Sequence, residues 1–208
     1  LDRGIEIHHD GDLPARSGMG SSSAFTVGLL NALHALNGHM VCKDELAQQG
    51  IQLEQDILQE TVGSQDQVNA AHGGFNHILF HNSGEISVRP VILPSERLAD
   101  LNDHLMLFYT GIKRTADKVA GSYVPSLEKK RRQLRILRDM VEEALSVLCG
   151  HGPIKEYGEL LHEGWLAKQA ISEKISNDAI SELYNAARDS GAIGGKITGA
   201  GGGGFMLL

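Results

Sequence analysis

The run Gly18-Met19-Gly20-Ser21-Ser22-Ser23 follows Asp12-Leu13-Pro14, leads into an apolar helical pattern, and constrains this chain more than any other segment. Two glycines permit a tight bend and a close backbone approach. Three serines fall where a helix begins, so their backbone N–H groups lack partners within the helix. Unpaired donors at the positive end of a helix dipole attract anions. A Walker A loop would need Gly-Lys-Ser/Thr, and no Lys follows Gly20; a dinucleotide fingerprint would need glycine where Ser23 stands. The alternative is a Gly/Ser turn with a serine N-cap and no ligand. The helix rests on a stripe of Phe25, Leu29, Ala32, Leu33 and Leu36, and Asn37-Gly38 supplies its stop.

A chain of 208 residues, 41% hydrophobic and 22% charged, can bury a core as one large domain or two small ones. A net charge of −7 argues against generic nucleic-acid binding, which relies on basic surface. Two cysteines, Cys42 and Cys149, provide neither a disulfide framework nor a metal cluster, and they point to a reducing, cytoplasmic compartment. No apolar run reaches the roughly 20 residues that span a bilayer. The first residue is Leu1 rather than Met, so the chain reads as a fragment.

Local patterns predict mixed elements. Leu1–His8 reads as a strand entering the loop. A second helix opens at Asp44, with Leu46, Leu53 and Ile57 on one side. Gly73–Val88 reads as a hairpin turning at Asn82-Ser83-Gly84, and His104–Tyr109 as a buried strand. Pro125-Ser126 introduces a long helix with Leu127, Leu134, Leu137, Val141, Leu145 and Leu148 inward, and Lys129–Arg132 as a solvated face. Helices over Ile154–Ile171 and Asn177–Ser190 follow, then a strand at Ile193–Ile197 and a final strand Phe205–Leu208. The fold class is α+β: a two-layer arrangement whose C-terminal part is mostly helical and closes on a small antiparallel sheet. Pro125 marks a division into 1–124 and 125–208.

Two further segments carry chemistry. Glu54 lies on the second helix, and Asp66 lies in Gly63-Ser64-Gln65-Asp66-Gln67, a turn or helix start. Nucleotide chemistry with magnesium needs a hard oxygen ligand and a carboxylate that takes a hydroxyl proton. The plainer readings are a surface helix residue for Glu54 and an N-cap for Asp66. Gly194-Gly195-Lys196-Ile197-Thr198-Gly199-Ala200-Gly201-Gly202-Gly203-Gly204 strips side chains from one surface and lets backbone approach backbone. A linker is the alternative, though Ile197 and the Phe205 strand flank it. Ten histidines show no metal-ligand spacing, and no Gly-x-Ser-x-Gly elbow occurs.

These three signals in this order resemble the GHMP small-molecule kinases. Leu13 to Ala24 looks like that family's ATP-phosphate loop, Glu54 and Gly63–Gln67 match its acidic pair in spacing, and Gly195–Gly204 looks like its C-terminal motif. Within it, Ser17–Leu33, Val62–Phe75, His104–Thr115 and Gly191–Phe205 are most similar to D-glycero-D-manno-heptose 7-phosphate kinases and neighbouring sugar kinases. The resemblance implies ATP and Mg²⁺ as cofactors and a sugar or sugar phosphate as substrate. Pro14, Ser17, Gly18, Met19, Gly20, Ser21, Ser22 and Ser23 would surround the ATP phosphates. Ser22 and Glu54 would hold magnesium, and Asp66 would be the catalytic carboxylate. Lys113, Arg114 and Thr115, with Gly199, Ala200 and Gly201, would contact the substrate, because Arg forks onto phosphate. A solvated loop is the alternative for Lys113–Thr115.

The family's first motif, which precedes the phosphate loop, is absent, and the chain ends before the family's last segment. The resemblance therefore implies an incomplete kinase, inactive on its own, with a homodimer possible. A catalytically silent binding relative, or a kinase for another alcohol such as mevalonate or homoserine, are the competing readings.

Overall fold

A computed structural model describes residues 4–13, 17–113, 119–122 and 124–208. Pro14, Arg114 and Thr115 lie outside the described residues, as does the side chain of Leu127. Helix α1 (Ser21–Leu36) starts after Gly20 and stops at Asn37, whose amide caps Leu33 O at 2.8 Å. Helix α2 (Lys43–Gln52) runs on into a π-helical turn, Leu53–Ile57. Helix α3 (Gln65–His72) leads to a hairpin of β1 (Asn76–Phe80) and β2 (Ile86–Pro90), paired antiparallel with Ile78 opposite Val88. Helix α4 (Ser95–Asp103) precedes β3 (Leu107–Tyr109). A 3-10 segment, Val124–Lys130, opens onto α5 (Arg131–Cys149), then α6 (Lys155–Gln169) and α7 (Asp178–Asp189). Strands β4 (Lys196–Ile197) and β5 (Phe205–Leu207) complete an antiparallel sheet ordered β3-β5-β4. The architecture is α+β.

Three apolar clusters hold these elements. Ala47, Ile51 and Val68 seat α2 and α3 on the inner face of the hairpin through Ile78, Ile86 and Val88. Leu101, Leu148 and Ile154 lock α4 to the junction of α5 and α6. There Arg97 also donates to Val147 O at 2.8 Å and Leu148 O at 3.3 Å, placing a cation on carbonyls at the negative end of α5. The largest cluster joins Trp165, Ile175, Ile180, Tyr184, Ile197 and Met206, so α6 and α7 cover the sheet. Helix α7 begins where Asn177 Oδ1 accepts from Ile180 N at 3.0 Å, the capping geometry expected of that residue.

Several expectations are corrected. Residues 4–8 join no ladder among the described residues, and Ile5 and Ile7 are exposed; extended backbone becomes a strand only where a neighbour takes its hydrogen bonds. The buried positions of α1 are Ser23, Thr26 and Val27, whereas Phe25 and Leu36 are exposed. The face next to α2 and α3, not the most apolar face, is the one that is covered. Lys43 rather than Asp44 opens α2, with Cys42 as N-cap and no side-chain cap. Asp44 instead meets the His72 ring at 3.1 Å. Ile57 is exposed because the π turn rotates it off the α2 stripe. Strand β3 is short and its side chains are exposed rather than buried, whereas Ile197 on the sheet's other edge strand is buried, so what packs on each face decides exposure. On α5, Leu148 is buried but Leu134 and Val141 are exposed.

Gly28 sits in mid-α1, is exposed, and has open space where a Cβ would stand. Gly28→Ala should therefore stabilise the chain by about 0.5–1 kcal/mol, read as a shift of the urea midpoint, by removing unfolded-state freedom.

Candidate active site

The bend before α1 is built by backbone. Gly20 takes a left-handed conformation (φ 69°) as N-cap, and no side chain caps this end. The serine-cap alternative does not hold; the N–H groups of the first turn keep no side-chain partner at the cap. Ser17 is fully buried with its hydroxyl unpartnered, Gly18 has φ 79°, and Met19 and Ser22 face solvent. Ser21 is half-buried.

Two carboxylates meet this bend from α2's extension and from α3. Asp66, in the first turn of α3, is exposed, and its carboxyl carbon lies 3.3 Å from where a Cβ on Gly20 would be. Any side chain at position 20 would press on that carboxyl group, so glycine there serves the approach as well as the turn. Glu54 lies in the π turn and is only 2% exposed. Its Oε2 accepts from Ser23 Oγ at 2.9 Å and from Gln67 Nε2 at 2.5 Å, while Oε1 is buried without a partner. A buried carboxylate oxygen without a partner is costly, and such an atom suits a hard cation.

The glycine run closes the bend from the other side. Gly204 donates to Ile112 O at 2.8 Å and accepts from Thr110 N at 2.9 Å and Thr110 Oγ1 at 2.7 Å. A Cβ on Gly204 would overlap the Ser17 carbonyl oxygen. The linker alternative is thereby excluded: this glycine is pinned by three hydrogen bonds and packed on the loop.

Residues 1–74 match the GHMP kinases N terminal domain, and residues 140–208 match the GHMP kinases C terminal domain. The chain belongs to the GHMP kinases. It is 30% identical to the D-glycero-alpha-D-manno-heptose 7-phosphate kinase of Campylobacter jejuni, across 98% of this chain and 60% of that protein. It is also 30% identical to the mevalonate kinase of Pyrococcus horikoshii, across 98% of this chain and 58% of that protein. Among solved structures, a putative sugar kinase from Campylobacter jejuni superposes with a TM-score of 0.65 at 29% identity, covering 94% of this chain and 56% of that one. The D-glycero-D-manno-heptose 1-phosphate kinase of Bacteroides thetaiotaomicron superposes at 0.71 with 24% identity, covering 95% and 54%, a likeness of fold. This GHMP kinase chain thus spans about 60% of the length of these two curated relatives.

Elsewhere in the GHMP kinase chain, the remaining site candidates divide. Lys113 is exposed, one residue beyond Ile112, which accepts from Gly204 N. Gly199 O accepts from Lys168 Nζ, Ala200 packs on the main core, and Gly201 abuts Ile175, where a Cβ would stand 2.8 Å from its carbonyl oxygen. Gly204 is the glycine of this run whose Cβ position meets the Ser17 carbonyl. Burial lowers the Lys196 amine below the ordinary lysine range. Sequence reasoning missed Ser23 as the partner of Glu54, and missed Gln67 altogether. The signal available for Gln67 was its place beside Val68 on the inward side of a short helix.

Proposed function

We propose that this chain is the nucleotide-holding part of a kinase that transfers the terminal phosphoryl group of ATP to a hydroxyl of a sugar phosphate, of the heptose 7-phosphate kind. The observation that carries this reading is the approach of the Asp66 carboxyl group to Gly20 at the phosphate bend. Backbone N–H groups from Gly18 to Ser22 bind the phosphates of ATP, with Met19, Ser21 and Ser23 shaping the bend. Asp66, being exposed, takes the proton of the attacking hydroxyl. The donor set of Ser22 hydroxyl and Glu54 carboxylate suits a magnesium ion, because Glu54 Oε1 is a hard oxygen, buried and without a hydrogen-bond partner. Magnesium there supplies positive charge against the phosphates of ATP. Phosphoryl transfer has a loose transition state, so holding the reactants in line and neutralising charge provide most of the acceleration. Lys113 belongs to the substrate side of the reading, together with Gly199–Gly201. A cytoplasmic location is part of the proposal; no helix among the described residues is long and apolar enough to cross a membrane.

A second reading, transfer to mevalonate, is favoured by the equal 30% identity to the Pyrococcus horikoshii mevalonate kinase. The two separate in one assay of the full-length protein, measuring ADP release from ATP with hexoses, heptoses, their phosphates, mevalonate and homoserine. Turnover with a heptose phosphate at least tenfold above the other acceptors is expected. Turnover with mevalonate alone, or with none, overturns the heptose assignment.

A further inference from the structure

We infer that Ser23 and Gln67 are positioning residues: together they saturate one oxygen of Glu54 and turn the other toward a divalent cation. The inference rests on the reading of Glu54 as the cation's carboxylate. An ionised carboxylate only accepts hydrogen bonds, so the Gln67 amide must point Nε2 at Glu54, and its own Oε1 is left buried without a partner. The Ser23 hydroxyl meets the same Oε2 from the opposite helix. Both donors are neutral. Among the described residues no Lys, Arg or His forms an ion pair with Glu54. A buried carboxylate held this way has one oxygen engaged by two donors and the other without a partner.

The placement ties this clamp to the reacting groups. Ser23 follows Ser22 in the first turn of α1, and Gln67 follows Asp66 in the first turn of α3. Each helix thus carries one exposed residue, Ser22 or Asp66, followed by a buried one that donates to Glu54. Three elements, α1, α3 and the π turn, meet at a single carboxylate. Outer hydrogen bonds that orient a ligand are commonly worth 10–100-fold in metal affinity.

The test is Mn²⁺ titration followed by electron paramagnetic resonance, on the full-length protein with a non-hydrolysable ATP analogue held saturating. Ser23→Ala and Gln67→Leu should each weaken Mn²⁺ binding by about 10-fold. Glu54→Gln should weaken it at least as much, and adding either substitution to Glu54→Gln should change binding by less than twofold. If Ser23→Ala and Gln67→Leu bind Mn²⁺ like the parent while Glu54→Gln does not, the clamp is wrong and the Glu54 reading stands. If either still weakens binding in the Glu54→Gln background, it does not act through Glu54 and the inference fails. Unchanged binding by Glu54→Gln removes the Glu54 reading itself. Ser23→Ala deletes a single oxygen from a helix, so it decides the matter even if Gln67→Leu does not fold.

Discussion

Replacing Asp66 by alanine in the full-length protein is expected to cut phosphoryl transfer by about 10³-fold while leaving the affinity for the ATP analogue within a few-fold of the parent. The reason is positional. The carboxyl group stands against Gly20 and is exposed, whereas Glu54 is buried. An accessible carboxylate beside the phosphates can take the proton that an attacking hydroxyl must lose, and positioned proton transfer contributes about 10²–10⁴-fold. Asp66→Asn keeps the shape but not the basicity, and should fall by a similar factor. Rate and analogue affinity, measured on the same preparations, separate this role from a structural one. Turnover within tenfold of the parent would remove Asp66 from the mechanism.

Gly204→Ala is expected to destabilise the chain by about 3 kcal/mol or more, and to weaken nucleotide binding at the same time. Position 204 has φ 90°, which a residue with a side chain adopts only under strain. The new methyl would also overlap the carbonyl of fully buried Ser17. Relief by backbone movement is blocked, because hydrogen bonds to Ile112 and Thr110 fix both the N–H and the carbonyl of Gly204. The loop must therefore move, and Ser17 and Gly18 with it. Urea denaturation and analogue binding measure the two effects. Gly28→Ala, at an exposed helical glycine, serves as the control with the opposite sign. A loss below 1 kcal/mol at position 204 would mean that the glycine run and the phosphate bend do not pack as described.

The division near Pro125 remains a proposal. Strand β3 lies before it in the chain, yet pairs with β5, with Phe108 opposite Met206. Such a pairing joins segments about a hundred residues apart, and local composition carries no record of it.

What the sequence determined by itself was part of what short-range chemistry decides, since the Asp44 cap it suggested did not form. The Asn37-Gly38 stop of α1, the hairpin around Asn82-Ser83-Gly84, the Asn177 cap of α7 and the glycine run next to Phe205 are all written in neighbouring residues, because turns and caps are satisfied within a few positions. The order of glycine-serine bend, acidic pair and glycine run was legible for the same reason. The tertiary structure alone decided which faces are covered. It buried Ser23, Thr26 and Val27 of α1 rather than the Phe25 stripe, left 4–8 outside any ladder among the described residues, and set β3 at an edge. It also chose Ser23 and Gln67 as the partners of Glu54, and brought Gly204 against Ser17. Burial and long-range hydrogen bonding depend on what arrives from elsewhere in the chain, and periodicity within one helix cannot specify its neighbour.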